Sequence, residues 1–117
     1  MKREIITLCG STRFMEEFKD VERALTLDGK IPLPPAIYGK AEGMRDYPEE
    51  LAKHLFDLHL DKILISEGIF VVDVDGYLGE STKKEIEFAE ENGKSVKYYS
   101  KEIENIKKVL KQLEGLK

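Results

Sequence analysis

Cysteine is almost missing from this chain: Cys9 stands alone among 117 residues, beside only two histidines and no tryptophan. A single cysteine forms no internal disulfide, and no Cys/His spacing suggests a zinc site. Cys9 is therefore expected to be a small buried hydrophobe at the end of a strand, with no partner base apparent. Long apolar runs are also missing. The longest are strand-sized, so no segment is expected to span a bilayer. The amino terminus, MKREIITLCG, has no long apolar core ahead of a cleavage site, so no secretory leader is expected and a cytoplasmic location is. Nor is there a basic excess, since 19 Lys and Arg face 23 Asp and Glu for a net charge of −4. Acids and bases are mixed along the chain, without the stripe that neutralises phosphates. A polymeric nucleic acid is not an expected partner.

What is present suffices for one core. Hydrophobic residues make up 41% of the chain, enough for a single globular domain over 1–117 and too much for a disordered segment. EIITLC, from Glu4 to Cys9, is β-branched and apolar on both faces, as a strand covered by helices requires. Phe14, Phe18, Val21 and Leu25 then follow at helical spacing, and Gly29 ends that helix. KIPLPP reads as an edge strand, because proline cannot donate to a ladder. Residues 36–48 have no period and read as a loop of functional length. A helix is expected over Glu49 to Ser66, with Leu51, Leu55 and Leu58 on one side. GIFVVDV is the central buried strand, STKKEIEFAEEN a helix ended by Gly93, and SVKYY a fourth strand. Ile103, Ile106, Leu110 and Leu113 define the inner face of a last helix. Four strand–helix alternations predict a doubly wound, flavodoxin- or Rossmann-like parallel sheet of about four strands in order 2-1-3-4. Helices are expected on both of its faces.

In such a sheet, ligands bind beyond the carboxyl ends of the strands, near the reversal of strand order. The loops that meet there are GSTRF and DGYLGEST. In the first, Gly10, Ser11, Thr12 and Arg13 stand between a strand end and a helix start, where free N–H groups suit an anion. Ser11 and Thr12 add hydroxyls, and Arg13 offers a two-pronged grip on phosphate or carboxylate. The plainer alternative is a helix cap with a solvated arginine. In the second loop, Gly76 and Gly79 let the backbone pass close to a ligand. Asp75 and Gly76 form a turn step, and Asp73 is a candidate partner for a ribose hydroxyl or a base. Thr82-x-x-Glu85 matches a capping box, which would turn Glu85 back onto its own helix. The same carboxylate near the start of a crevice-facing helix would instead meet a bound sugar. Local sequence does not separate the two.

Taken together, ITLCGSTRF, GYLGESTKKEIEFA and GKSVKYY resemble the nucleoside 2-deoxyribosyltransferase superfamily, which includes the 2'-deoxynucleoside 5'-phosphate N-hydrolases. The resemblance runs from about Ile5 to Tyr99. The family's nucleophile motif, Glu-Leu-Gly-x-Ala, matches EIEFA, which places the nucleophile at Glu85 and Glu87 where the family has glycine. Ser11 and Arg13 resemble the residues that contact the 5'-phosphate in the hydrolases. Gly79, Ser81 and Thr82 fall in the loop lining the sugar and phosphate pocket. The family's partner aspartate aligns with His59, flanked by Asp57 and Asp61, and a histidine there can still exchange a proton at neutral pH. The plainer reading of His59 is a half-buried helix residue, and His54 has no assigned role.

The resemblance implies cleavage or transfer of the N-glycosidic bond of a nucleoside or its 5'-monophosphate through a covalent Glu85–sugar intermediate. Metal ions and organic cofactors are not required, and a homodimer or larger homo-oligomer is implied. Contacts between copies are expected in the loop around Tyr38 and Tyr47 or along the helix before the third strand. Two other readings share the pocket. A nucleotide phosphoribohydrolase would use Thr82 and Glu85 of a loop similar to Gly-Gly-x-Gly-Thr-x-x-Glu. A nucleotide-sensing module would bind without turnover, and the changed partner at His59 supports it.

Overall fold

The computed structural model describes residues 2–117. Strands β1 (Ile5–Gly10), β2 (Ile31–Leu33), β3 (Gly68–Val72) and β4 (Ser95–Tyr98) alternate with helices α1 (Met15–Leu27), α2 (Glu49–Ile65), α3 (Glu80–Glu91) and α4 (Tyr99–Glu114). All four strands are parallel in the order β2-β1-β3-β4, the doubly wound arrangement expected from the alternation. Between Leu33 and Glu49 the chain forms no helix or strand, as residues 36–48 led one to expect.

Two cores follow from the period-two alternation of the central strands. Ile6, Leu8, Phe70 and Val72 point to one face, where Phe18, Val21 and Ala24 of α1 and Ile106 of α4 cover them. Cys9, Ile69 and Val71 point to the other, against Ile63 of α2 and Ile86 and Ala89 of α3. Phe14 and Leu25 pack on the first core, as do Ile103 and Leu110, so the inner faces of α1 and α4 are those read from spacing. Tyr38 departs from expectation. It is buried in the first core, edge-to-face with Phe18 at 5.7 Å between ring centres, and offers no surface to another copy.

Helix α2 is the other departure. Leu51 and Leu58 are exposed, not core-facing, and Ile63 is the helix's one fully buried residue. Leu60 and Ile63 hold α2 to the second core, and polar contacts add to this at its carboxyl end. The buried Thr7 hydroxyl of β1, the Ser66 hydroxyl and the Lys62 carbonyl converge: Ser66 donates to the carbonyl at 2.7 Å, and the single Thr7 proton is shared between the Ser66 oxygen and the same carbonyl, 3.1 Å away. This staple sets the rotation of α2, and with it the direction of His59 one turn earlier.

At the carboxyl end of β1, Gly10 has φ +143°, a left-handed value that favours glycine, and a Cβ there would lie 2.8 Å from the Val72 carbonyl oxygen. A backbone atom of a central strand moves only at a cost. Gly10→Ala is expected to lower stability by about 2 kcal/mol, read as a reduced urea midpoint at unchanged m-value. An unchanged midpoint would show that β1 and β3 tolerate the added methyl.

Candidate active site

A cleft of about 290 Å³ opens beyond the end of β1. Leu8, Gly10 and Thr12 form its floor, and Pro35, Ala36, Ile37 and Tyr47 of the long loop form one wall. Leu55, Leu58, His59 and Lys62 of α2 face Ser81 and Glu85 of α3 across it. A groove of the same volume lies between α1 and α4, toward the amino ends of the strands. Its rim pairs ordinary surface charges, whereas the first cleft holds a buried cluster of titratable groups.

The cluster is built from three elements. Cys9 Sγ, at the covered end of β1, lies 3.2 Å from His59 Nε2 of α2. Glu85 Oε1 of α3 lies 3.6 Å from the same nitrogen. Glu85 is 8% exposed and Cys9 fully buried, while His59 is half-buried. Burial raises the Glu85 carboxyl from its ordinary 4.5 to about 7, although a hydrogen bond from Cys9 opposes the rise. Burial, with the Lys62 charge nearby, lowers His59 from 6.5 to about 4. Burial and the Glu85 carboxylate hold the Cys9 thiol well above its usual range. At neutral pH the imidazole is therefore neutral, the thiol protonated and the carboxyl near the middle of its titration. Among the described residues, no lysine or arginine pairs with Glu85.

Glu85 is not a cap. Helix α3 begins at Glu80 with Gly79 as its N-cap, so Thr82 is the third helical residue and Glu85 the sixth. A capping carboxylate belongs at the third position, one turn earlier. The Thr82-x-x-Glu85 pattern lies inside a helix that starts sooner than the pattern suggests. Glu87 is exposed, so a side chain in place of glycine meets no packing conflict within the chain.

The two loops singled out by sequence do meet. The Arg13 guanidinium stacks over the Tyr77 ring at 4.6 Å and donates to the Tyr77 hydroxyl at 3.4 Å. Ser11 caps the short 3-10 turn Thr12–Phe14 and accepts from Arg13 Nε at 3.0 Å. Thr12 accepts from the Lys40 backbone N–H at 3.4 Å, tying the first loop to the long loop. Arg13 is exposed, and no acidic side chain among the described residues pairs with it. It stands at the rim of the crevice and does not line the cleft.

Other candidates have other work. Asp73 is buried and accepts from the Ser100 backbone N–H at 2.8 Å and the Ser100 hydroxyl at 2.7 Å, which satisfies the start of α4. Asp75 adopts φ 54° ahead of Gly76 at φ 79°, the turn step read from sequence. Thr82 is buried, Gly79 ends the loop, and Ser81 alone of these three lines the cleft. Asp57 pairs on the surface with Lys53 at 2.6 Å and Asp61 is exposed, so of that segment only His59 reaches Glu85. Sequence reasoning missed Cys9, for which no partner base was apparent. Its partner comes from a helix fifty residues away.

No protein-family model, curated protein or solved structure matches the chain.

Proposed function

We propose that the chain cleaves or transfers the N-glycosidic bond of a deoxynucleoside or its 5'-monophosphate, in the manner of the nucleoside 2-deoxyribosyltransferase superfamily. One observation carries this reading. A buried carboxylate stands beside a neutral imidazole at the carboxyl end of a parallel sheet, where it neither caps a helix nor pairs with a lysine or arginine. Glu85 attacks C1' of the sugar, the base leaves with the bonding electrons, and the ester formed is resolved by water or a second base. His59, as a neutral imidazole, orients the carboxylate through Nε2. It is not a reservoir of protons at pH 7, so the departing base takes its proton from water in the cleft. Because attack requires the ionised carboxylate, kcat/KM should rise about tenfold per pH unit below 7 and level off above it.

Incubation with deoxynucleoside monophosphates, followed by chromatography for free base, tests the reading. Release from ribonucleotides alone would point to a phosphoribohydrolase, and tight binding without release to a sensor.

Arg13 bears on the phosphate. Exposed at the crevice rim and free of carboxylates, it would pair in this reading with a 5'-phosphate. Arg13→Ala should weaken nucleoside monophosphate binding by about 2 kcal/mol and leave the unphosphorylated nucleoside almost unchanged. Equal losses for both ligands in calorimetry would assign Arg13 to the fold through its Tyr77 contact. A homo-oligomer belongs to the same reading. Leu51, Leu58, Leu64 and Ile65 leave an apolar surface on α2, next to a cleft open on that side.

A further inference from the structure

The same three side chains fit a second ligand class. We infer that Cys9, His59 and Glu85 form a binding site for a divalent cation of the zinc class. Their donor atoms all lie within 4.8 Å of one another. In a four-coordinate zinc centre, bonds of about 2.0–2.3 Å place neighbouring donors roughly 3.4–3.6 Å apart. The Cys9–His59 and His59–Glu85 separations are 3.2 and 3.6 Å, so two of the three edges are in place with small adjustment. Both edges share Nε2, so that nitrogen already faces the sulfur and the carboxylate together.

Charge and donor chemistry select the ion. Thiolate and carboxylate carry two negative charges and the imidazole none, so a divalent cation leaves a neutral cluster in a site that disfavours uncompensated charge. Binding sends the thiol proton, and any proton held by the Glu85 carboxyl, to solvent. Sulfur and imidazole nitrogen suit zinc and its neighbours, whereas magnesium and calcium require oxygen ligands in greater number. Three protein ligands also leave one position open. Cys9 closes the buried side, and His59 and Glu85 line the cleft, so that position faces the cavity.

Occupation takes Glu85 Oε1 away from a sugar, so the metal-bound chain should not release base. This last consequence rests on the deoxyribosyl reading; the site itself does not.

Cobalt(II) is the probe, added to chelator-treated protein. One equivalent per chain is expected to give a near-ultraviolet thiolate-to-cobalt band with the intense visible bands of four-coordinate cobalt, and zinc should displace it. Cys9→Ser should lose the near-ultraviolet band, and His59→Gln and Glu85→Gln should each weaken binding at least tenfold. Two side chains are varied besides the sulfur so that a misfolded Cys9 variant does not decide the matter. Wild-type protein without the charge-transfer band in excess cobalt, or with equal affinity in the His59 and Glu85 variants, overturns the site. A second arm measures base release with zinc and after its chelation. Release that zinc leaves untouched, although zinc displaces cobalt from the site, overturns the exclusion of substrate. A full spectrum with no release under any condition refutes the deoxyribosyl reading and leaves the metal site standing.

Discussion

Glu85→Gln should abolish base release while the protein melts at or above the wild-type temperature at neutral pH. Glutamine fills the same volume beside His59, and no helix cap is lost because Glu85 is the sixth residue of α3. What it lacks is the negative charge needed to attack C1'. A loss of at least a thousandfold in turnover is expected, equivalent to about 4 kcal/mol in the barrier. In the wild type, the sugar should be trapped on Glu85 and located by mass spectrometry of the digested protein. If the variant releases base at the wild-type rate, Glu85 is not the nucleophile.

The second large effect is on stability and needs no substrate. Glu85 is held up at about 7 in the folded chain against an ordinary 4.5, and His59 is held down at about 4 against 6.5. The stability that Glu85 contributes is present below 4.5 and lost as pH rises through 7. For His59 the sign reverses: its contribution is present above 6.5 and lost as pH falls toward 4. Between about pH 5 and 6.5 the folded pair holds one proton on the carboxyl, and the unfolded pair holds one on the imidazole. The two slopes therefore cancel in the wild type. Removing either partner uncovers the other. Glu85→Gln should lose about 3 kcal/mol relative to wild type as pH falls from 6.5 to 4, at roughly 1.4 kcal/mol per unit. His59→Gln should lose a similar amount as pH rises from 4.5 to 7. Urea denaturation of the three proteins across this range measures both, and differences from wild type remove the other titrating groups. Parallel curves for all three would mean that the cluster is hydrated and its groups titrate normally.

The frame of the protein was legible in its residues. EIITLC and GIFVVDV are too uniformly apolar for anything but covered strands, and one-sided apolar spacing gave α1 and α4 their inner faces. Alternation with helices then implied the parallel order, and strand polarity placed GSTRF and DGYLGEST together, as the Arg13–Tyr77 contact bears out. Glycine chemistry was legible too, at Gly76 after the left-handed Asp75.

The site was only half legible, for reasons that are physical. Helix α2 carries Leu51, Leu55, Phe56, Leu58, Leu60, Ile63, Leu64 and Ile65 around its whole circumference, so spacing defines no unique buried side. The Thr7–Ser66–Lys62 staple defines it, and only tertiary contact reveals which hydroxyls meet. That rotation turns His59 inward and leaves Leu51 and Leu58 exposed. The start of α3 at Glu80 likewise decides what Glu85 does, since a capping box read three residues late would have bent the carboxylate back to its own backbone. Composition could supply a cysteine, a histidine and a glutamate as separate facts. Burial at the junction of β1, α2 and α3 makes them one cluster, because there each loses water and must answer to the others.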